Sequence, residues 1–310
     1  MAATPSKLVS LVEAAQAVAS GASLTAGGFA HSHQPLAFTR ELIRQGRSRL
    51  TLMSVAECWV AEFLAAAGML EKVYFSNFMF EGYGRCQRFS KAVEAGAVAV
   101  EDHSHFGMVS RLMAAGLGLP FMPMKAMAGT DILAISGFEP PDRKARRMQS
   151  PFGHEVVTAV SPLRPDVAVI HAARADRLGN VQLFGTTSVI EEQARAAGTV
   201  IVTVEEIVDT DIIRRQPEMT LLPALMVDMV VHLPYGAHPT GVYGYYDHDS
   251  AHLADYYAAS RTEPDTAVWL DRWAHGLPDH FDYLDALGMT RLLQLRVDPA
   301  LGYLREASHG

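Results

Sequence analysis

The 310-residue chain has little cysteine and no long uninterrupted apolar run. Its two cysteines, Cys58 and Cys86, show neither the spacing of metal ligands nor a framework of paired half-cystines, a pattern typical of proteins in a reducing compartment. No apolar run reaches the roughly 20 residues that a membrane span needs, and the N-terminal stretch does not fit a signal peptide. We therefore expect a cytoplasmic protein that does not cross a membrane.

The chain also lacks an excess of positive charge. Its 26 lysines and arginines are outnumbered by 34 aspartates and glutamates, which gives a net charge of -8. A negative field repels phosphate backbones, so we expect no nucleic-acid partner. The dinucleotide pattern G-x-G-x-x-G and the Walker pattern are both missing from the glycine-rich stretch described next, which disfavours a standard nucleotide site there.

The most informative stretch is L-T-A-G-G-F-A-H-S-H-Q-P, from Leu24 to Pro35. It predicts a strand over Ser23–Ala26, then a loop that begins Gly27-Gly28-Phe29, then a helix over Ala37–Gln45 for which Pro35 is a good entry residue. Two glycines at the carboxyl end of a strand allow positive φ or the close approach of a ligand. An ordinary strand-to-helix turn explains the same spacing. We call residues 27–35 the glycine loop.

Strand and helix patterns alternate along most of the chain. Strands are predicted at 50–54, 72–78, 97–101, 119–122, 155–160, 166–173, 181–184, 199–204 and 226–233, and helices at 58–67, 85–95, 106–117 and 188–197. This order predicts an α/β fold: an open, mainly parallel, doubly wound sheet with helices on both faces. Residues 1–310 are interpreted as one domain with a helical C-terminal extension over about 245–310. Gly129–Arg147, with two prolines and a basic cluster, is interpreted as a long loop.

Several short motifs resemble the A (alpha) subunits of class I coenzyme A transferases, and most closely the glutaconate CoA-transferase branch. Besides the glycine loop they are F-E-G-Y-G (80–84), L-P-F-M-P (119–123), A-D-R-L-G-N (175–180), V-E-E-I-V-D-T (204–210), I-R-R (213–215) and P-Y-G-A-H-P (234–239). Their order covers nearly all of the chain. One departure is His33, where many relatives have glycine.

The resemblance implies an enzyme subunit that moves CoA between short-chain or dicarboxylic acids. In such enzymes a glutamate of the B (beta) subunit carries the CoA as a glutamyl thioester, so the nucleophile is expected on a partner chain. The expected assembly is a hetero-oligomer, and the acyl-CoA thioester is a substrate, with no permanently bound cofactor. Two alternatives stay open: a CoA-thioester hydrolase or lyase on the same fold, and a non-catalytic scaffold subunit.

Candidate binding residues follow from the carboxyl ends of the early strands and from the resemblance. The substrate- or CoA-binding candidates are Gly27, Gly28, Phe29, His31, Ser54, Glu81, Gly129 and Thr130. No catalytic residue is expected in this chain; the alternatives are Glu57, Asp102 and His105, of which the last two would form an acid–base pair. Glu57 is also explained by the helix dipole alone. No metal site is expected, because the histidine pairs 31/33 and 103/105 lack helical ligand spacing.

Two further interpretations concern the second half. Glu205 and Glu206 are adjacent on a predicted strand and so point to opposite faces, and a salt bridge to Arg214 or Arg215 is their simplest explanation. The aromatic residues of the segment 245–273 belong either to the core or to a subunit interface, where such residue types are common.

Overall fold

The computed structural model describes residues 5–135 and 137–304. Its strands are β1 Ser23–Ala26, β2 Leu50–Met53, β3 Leu70–Phe75, β4 Ala99–Asp102, β5 Met122–Met124, β6 Ala145–Gln149, β7 Val156–Val160, β8 Val167–Ala175, β9 Val181–Gln182, β10 Thr199–Ile207, β11 Thr220–Leu222 and β12 Met229–His232. The ends of the one-domain interpretation, residues 1–4 and 305–310, lie outside the described residues.

The helices are short, and the last four follow one another after the final strand. They are α1 Leu11–Gln16, α2 Leu36–Arg44, α3 Cys58–Ala66, α4 Gln87–Glu94, α5 His105–Gly116, α6 Pro141–Lys144, α7 Ile190–Ala196, α8 Thr210–Arg215, α9 Ser250–Ala259, α10 Glu263–Leu270, α11 His280–Leu287 and α12 Met289–Leu295. Within the described ranges, no helix combines the length and the apolar character that crossing a bilayer would require.

The main sheet confirms the predicted α/β class. Seven parallel strands run in the order β12-β10-β8-β1-β2-β3-β4. The strands predicted at 166–173 and 181–184 form a hairpin, because β9 pairs with the end of β8 in antiparallel register and β11 extends it. One apolar cluster joins the sheet to α2 and α3, while α5 and α7 pack on the opposite face. Burial on both faces explains the nearly continuous apolar run of β8.

The segment 119–160 departs from the expectation. The strand predicted at 119–122 is β5, Met122–Met124, and it belongs to a separate three-stranded antiparallel sheet in the order β5-β7-β6. The prediction of a long loop at Gly129–Arg147 is wrong over its second half, where α6 leads directly into β6. Strand pairing with β7 overrides the local signals of the two prolines and the charges.

The C-terminal helices pack back onto the main core. Tyr256 is fully buried, and its ring centroid lies 4.7 Å from that of Trp269 and 4.9 Å from that of Phe63 in α3. Trp273 and Tyr246 are also buried. Of the two interpretations of these aromatic side chains, core and interface, the structure supports the first, because they fill the core of their own chain.

Candidate active-site cavity

The glycine loop closes on itself at the carboxyl end of β1. The amide of Phe29 donates to the carbonyl of Ser32, and the amide of Ser32 donates back to Phe29, both at 2.9 Å. Gly28 has φ +110°, and a Cβ atom there would lie 2.8 Å from the Ser32 carbonyl oxygen and 2.9 Å from the Gln34 nitrogen. The geometry of the loop itself therefore requires glycine, whether or not a ligand approaches.

His33 stands at a position where many relatives have glycine, and its backbone conformation is one that glycine adopts easily. It has φ +58°, in the left-handed region where glycine carries no steric cost. The ring nitrogen Nδ1 lies 2.6 Å from the Ser32 hydroxyl, and the side chain is buried. Histidine therefore replaces glycine at a position whose backbone favours glycine.

Gln34 is a structural residue that sequence reasoning missed. Its buried side-chain oxygen accepts hydrogen bonds from the amides of Trp59, at 3.0 Å, and Val60, at 3.2 Å, in the first turn of α3. These amides have no partner within the helix. These hydrogen bonds fix the glycine loop to the connection between β2 and α3. In the sequence, only the predicted start of the helix at Cys58 indicates that free amides are available to Gln34.

A cavity of about 340 Å³ lies beside the loop. Residues of the segments 241–248 and 297–303 line the other side of the cavity. The backbone of Gly241 joins the first of these segments to the glycine loop through 2.8 Å hydrogen bonds with His31 and His33. The lining residues are Phe29, Ala30, His31, Ser32, Gly241, Val242, Tyr243, Tyr246, Asp247, His248, Val297, Gly302 and Tyr303. Of the candidate residues, the structure therefore brings Phe29 and His31 together here.

His31 has a fixed tautomer in this cavity. Its Nδ1 accepts a hydrogen bond of 3.0 Å from the indole nitrogen of Trp59, which can only donate. In the neutral ring the proton must therefore be on Nε2. Burial, together with the neighbouring His248, lowers the pKa of His31 to about 4. His31 is thus a neutral hydrogen-bond donor near neutral pH.

Asp247 and His248 form a pair that no sequence motif singled out. The Asp247 carboxylate accepts hydrogen bonds of 2.7 Å from both the backbone amide and the Nδ1 of His248. The side-chain hydrogen bond from His248 is the main cause of the lowered pKa of Asp247. The His248 ring stacks on His31 with a centroid separation of 5.5 Å.

Glu57 is buried and its oxygens are occupied. One oxygen accepts hydrogen bonds from the Ser54 hydroxyl and from the amides of Val55, at 2.7 Å, and Ala56, at 2.9 Å. The other accepts from the amide group of Gln193 in α7. Burial raises the pKa of Glu57. The carboxylate therefore fixes the turn between β2 and α3. Glu57 is the N-cap residue of α3, and its side chain makes no capping hydrogen bond to that helix.

Glu205 is engaged in a similar way at the end of β10. It accepts hydrogen bonds of 2.6 Å from the buried His171, 2.8 Å from the Tyr246 hydroxyl and 2.6 Å from the Tyr235 amide. Glu206 points to the other face and bonds the Tyr245 hydroxyl.

The predicted salt bridge from these glutamates to Arg214 or Arg215 is wrong. Strand β10 carries both carboxylates to the loop after β12, where tyrosine side chains and backbone amides meet them. Arg214 is engaged elsewhere, since its guanidinium pairs with Asp211 within α8.

The proposed pair Asp102 and His105 is not joined. Asp102 ends β4 and His105 begins α5, and no hydrogen bond or ion pair connects them among residues 5–135. Burial raises the pKa of Asp102. The buried histidine at this edge is His103, whose Nε2 lies 3.0 Å from the guanidinium of Arg111. The structure thus supplies no acid–base pair at this position.

Glu81, Gly129 and Thr130 are not among the residues that line the cavity. Glu81 is exposed in a 3-10 turn after β3. The Thr130 hydroxyl donates to the Met127 carbonyl at 2.9 Å, within the turn that also contains Gly129. Their role in substrate binding stays a prediction.

The basic cluster divides into a buried and an exposed part. Lys144 is buried and forms a 2.8 Å ion pair with Glu101. Arg143, Arg146 and Arg147 line a second cavity of about 520 Å³ between α5 and the small sheet. In the part of the chain that the structure describes, no group of three or more histidine, cysteine or acidic side chains could hold a metal ion.

Fold and cavity together define a parallel α/β protein with a glycine loop at its central strand. The sequence profile described as Coenzyme A transferase matches residues 8–233. The chain therefore belongs to the coenzyme A transferase family.

Individual relatives match over most of their length. The chain is 37% identical to the A subunit of glutaconate CoA-transferase from Acidaminococcus fermentans, over 96% of this chain and 97% of that one. The crystal structure of that organism's glutaconate coenzyme A-transferase superposes with a TM-score of 0.91 at 35% identity, covering 96% of this chain and 98% of that chain.

Two other relatives differ in the reaction they are named for. The A subunit of 3-oxoadipate CoA-transferase from Pseudomonas knackmussii is 35% identical, over 89% of this chain and 96% of that one. The crystal structure of a variant of the decarboxylase AibA/AibB superposes with a TM-score of 0.75 at 34% identity, covering 86% of this chain and 99% of that chain.

Proposed function

We propose that this chain is the A subunit of a heteromeric CoA-transferase that moves CoA between short-chain or dicarboxylic acids. The partner B subunit supplies the nucleophilic glutamate, and the acyl-CoA thioester is the substrate. Relatives named for glutaconate and 3-oxoadipate, both dicarboxylates, support that substrate class. The scarcity of cysteine supports a cytoplasmic location.

The observation that carries the proposal is an incomplete active site. Asp247 is the only carboxylate among the described residues that line the glycine-loop cavity, and His248 already engages it. Glu57 and Glu205 are buried with their oxygens hydrogen-bonded. A carboxylate that attacks a thioester must reach the acyl carbon. The arrangement therefore supports a nucleophile that enters from a second chain.

In the proposed reaction this chain positions the substrates and stabilises the charge that develops on them. In the proposed reaction the partner's carboxylate attacks the acyl carbon, and CoA leaves as a thiolate. The thiolate then attacks the resulting anhydride at the glutamyl carbon, which forms the glutamyl thioester and releases the donor acid. Each attack develops an oxyanion, which fixed donors stabilise. The candidates here are the backbone N–H of Gly28 and the Nε2–H of His31, since the N–H of Gly27 already donates to the Val169 carbonyl at 2.8 Å.

The hydrolase or lyase alternative receives less support. In that alternative Asp102 or His105 takes the acid–base role, and neither of them lines the glycine-loop cavity. A relative named as a decarboxylase shares the fold, but no contact in the cavity favours that reaction over transfer.

Reconstitution tests the proposal. The purified chain should show no CoA transfer alone and should gain it when its B-subunit partner is added, with glutaryl-CoA as donor and acetate as acceptor among the pairs assayed. Size-exclusion chromatography should show both chains in one complex. Sustained transfer by the isolated chain would overturn the proposal, and so would a complex that hydrolyses the thioester without transfer.

A further inference from the structure

Trp59 is hydrogen-bonded to the glycine loop at two points. It is fully buried near the start of α3. Its indole N–H donates to the Nδ1 of His31 at 3.0 Å, and its backbone N–H donates to the side-chain oxygen of Gln34, also at 3.0 Å. Both its side chain and its backbone therefore find their acceptors in the glycine loop.

The motif F-E-G-Y-G, residues 80–84, packs on both rings of the indole–imidazole hydrogen bond. The fully buried ring of Phe80 stacks on the indole of Trp59, with centroids 3.9 Å apart and planes inclined by 16°. The ring of Tyr83 meets the imidazole of His31 edge-on at a centroid distance of 5.8 Å. A 2.7 Å hydrogen bond from the amide of Tyr83 to the carbonyl of Phe80 holds the two aromatic residues in one turn. The motif therefore supports the tryptophan and the histidine together.

This hydrogen bond leaves one nitrogen of His31 for a ligand. Because an indole can only donate, Nδ1 is the acceptor, and the neutral ring carries its proton on Nε2. The pKa of His31, lowered to about 4 by burial and by the neighbouring His248, keeps the ring neutral near pH 7. His31 lines the cavity, and its Nε2 is accessible to solvent and has no hydrogen-bond partner among the described residues. The group available in the cavity is therefore an N–H donor.

We propose that Trp59 is a positioning residue that, stacked on Phe80, keeps His31 in the tautomer whose Nε2–H is available to the substrate. This inference rests on the proposed function, in which that N–H is a candidate donor to the oxyanion. Trp59 is not among the residues that line the cavity, so it acts through His31. A donor that is fixed before the reaction stabilises developing charge without reorganising, whereas a ring that is free to turn or to change tautomer must first be ordered.

Kinetics of the assembled complex test the inference, with glutaryl-CoA as donor and acetate as acceptor. Trp59→Phe removes the indole N–H and keeps an aromatic ring against Phe80. We expect kcat to fall about tenfold or more, but by no more than the roughly 10²-fold expected for His31→Phe, which removes the donor itself. The KM for glutaryl-CoA should change by less than about twofold, because the lost hydrogen bond does not contact the substrate.

A double variant separates a positioning role from a structural one. If Trp59 acts through His31, adding Trp59→Phe to His31→Phe should lower kcat by less than about twofold further, because the two residues act as one coupled unit. A structural role would instead lower kcat by the same factor in both backgrounds.

Trp269→Phe is the matched control. Trp269 is also buried, its indole N–H donates to Asp255 at 3.2 Å, and its ring packs on Tyr256, as the ring of Trp59 does. The same substitution there should lower the melting temperature and leave kcat as in wild type. An equal loss of kcat in the two variants would count against the inference, because it would follow from the loss of any buried indole.

A second measurement does not depend on activity. Nitrogen-15 NMR spectra of the full chain, labelled at histidine, distinguish the Nε2–H from the Nδ1–H tautomer, and comparison with His31→Phe identifies the signals of His31. We expect the Nε2–H tautomer alone in wild type and a mixture of both tautomers in Trp59→Phe. A pure Nε2–H tautomer in both proteins would overturn the inference.

The outcomes distinguish this inference from the proposed function. If the complex transfers CoA but the coupling or the change of tautomer is missing, the inference is wrong and the proposed function stands. If the complex transfers no CoA, the proposed function fails, and the spectra still decide whether Trp59 sets the tautomer of His31.

Discussion

Two acid–histidine pairs lie near the same edge of the sheet and differ in what surrounds them. Glu205 and His171 are buried, and their polar atoms are satisfied by a phenol, a threonine hydroxyl and backbone amides. Asp247 and His248 are half-exposed, and both line the glycine-loop cavity. The same residue types therefore stabilise the fold in one place and remain available to a ligand in the other.

The difference follows from the cost of burying polar groups. A buried donor or acceptor without a partner costs about 1–3 kcal/mol, so a closed network recruits a partner for each atom. Strand β10 places Glu205 where it holds the loop 234–238, which in turn contacts the start of α2. The open pair fixes no backbone beyond its own segment.

The largest expected effect is on the closed pair. Replacing Glu205 by alanine leaves the Tyr235 amide, the Gly236 amide and the Tyr246 hydroxyl without their acceptor. Breaking a buried charged network in this way typically costs about 3–5 kcal/mol. We expect the free energy of unfolding to fall by about that amount in urea denaturation of the chain.

Its neighbour provides the control. Glu206 lies on the exposed face of the same strand and bonds one phenol, so Glu206→Ala should change stability by about 0.5 kcal/mol or less. Equal losses for the two variants would show that burial does not distinguish these carboxylates.

The next largest effect is expected in the glycine loop, whose residues His31 and His33 bond the segment that carries Asp247 and His248. Gly28→Ala places a Cβ atom 2.8 Å from the Ser32 carbonyl oxygen at φ +110°, so we expect a loss of about 2–3 kcal/mol and a large fall in turnover. Gly46→Ala, at φ +63° with nothing within 4 Å, should cost about 1 kcal/mol and keep activity. Melting temperatures and turnover of both variants test these expectations. A Gly28→Ala variant as stable as wild type would contradict the steric requirement for glycine in this loop.

The smallest expected effect is on the pH dependence of stability. Burial lowers the pKa of His280 to about 3, below its value of about 6.5 in the unfolded chain. Its contribution to stability is therefore complete above pH 6.5 and is lost as the pH falls toward 3. His280→Gln should lose about 1 kcal/mol less than wild type between pH 6.5 and 5.5, measured by urea denaturation. Identical losses would mean that folding does not lower the pKa of His280.

The main sheet was predictable from the sequence because its signals are local. The apolar runs of β8 and β10 and the glycine after β1 determine strand and turn without help from distant residues. The second half of the loop predicted at 129–147 failed for the opposite reason. Strand β6 forms through its pairing with β7, which no local pattern of charges reveals.

The candidate site was predictable only in part. The glycine loop and His31 follow from a motif, whereas Asp247 and His248 reach the cavity through a tail segment more than 200 residues away, held by Gly241. Glu57 is of the residue type that serves as the nucleophile, but Ser54 and Gln193 hydrogen-bond its carboxylate. Sequence alone cannot distinguish an enclosed carboxylate from an open one, because α7 supplies the enclosing residue.

The most direct measurement maps the covalent intermediate. The assembled complex is incubated with acyl-CoA, treated with borohydride or hydroxylamine, and digested for mass spectrometry. We predict that the modified glutamate lies on a peptide of the B subunit, while every glutamate of this chain stays unmodified. A modification on Glu57, or on any other glutamate of this chain, would contradict the assignment of the nucleophile to the partner.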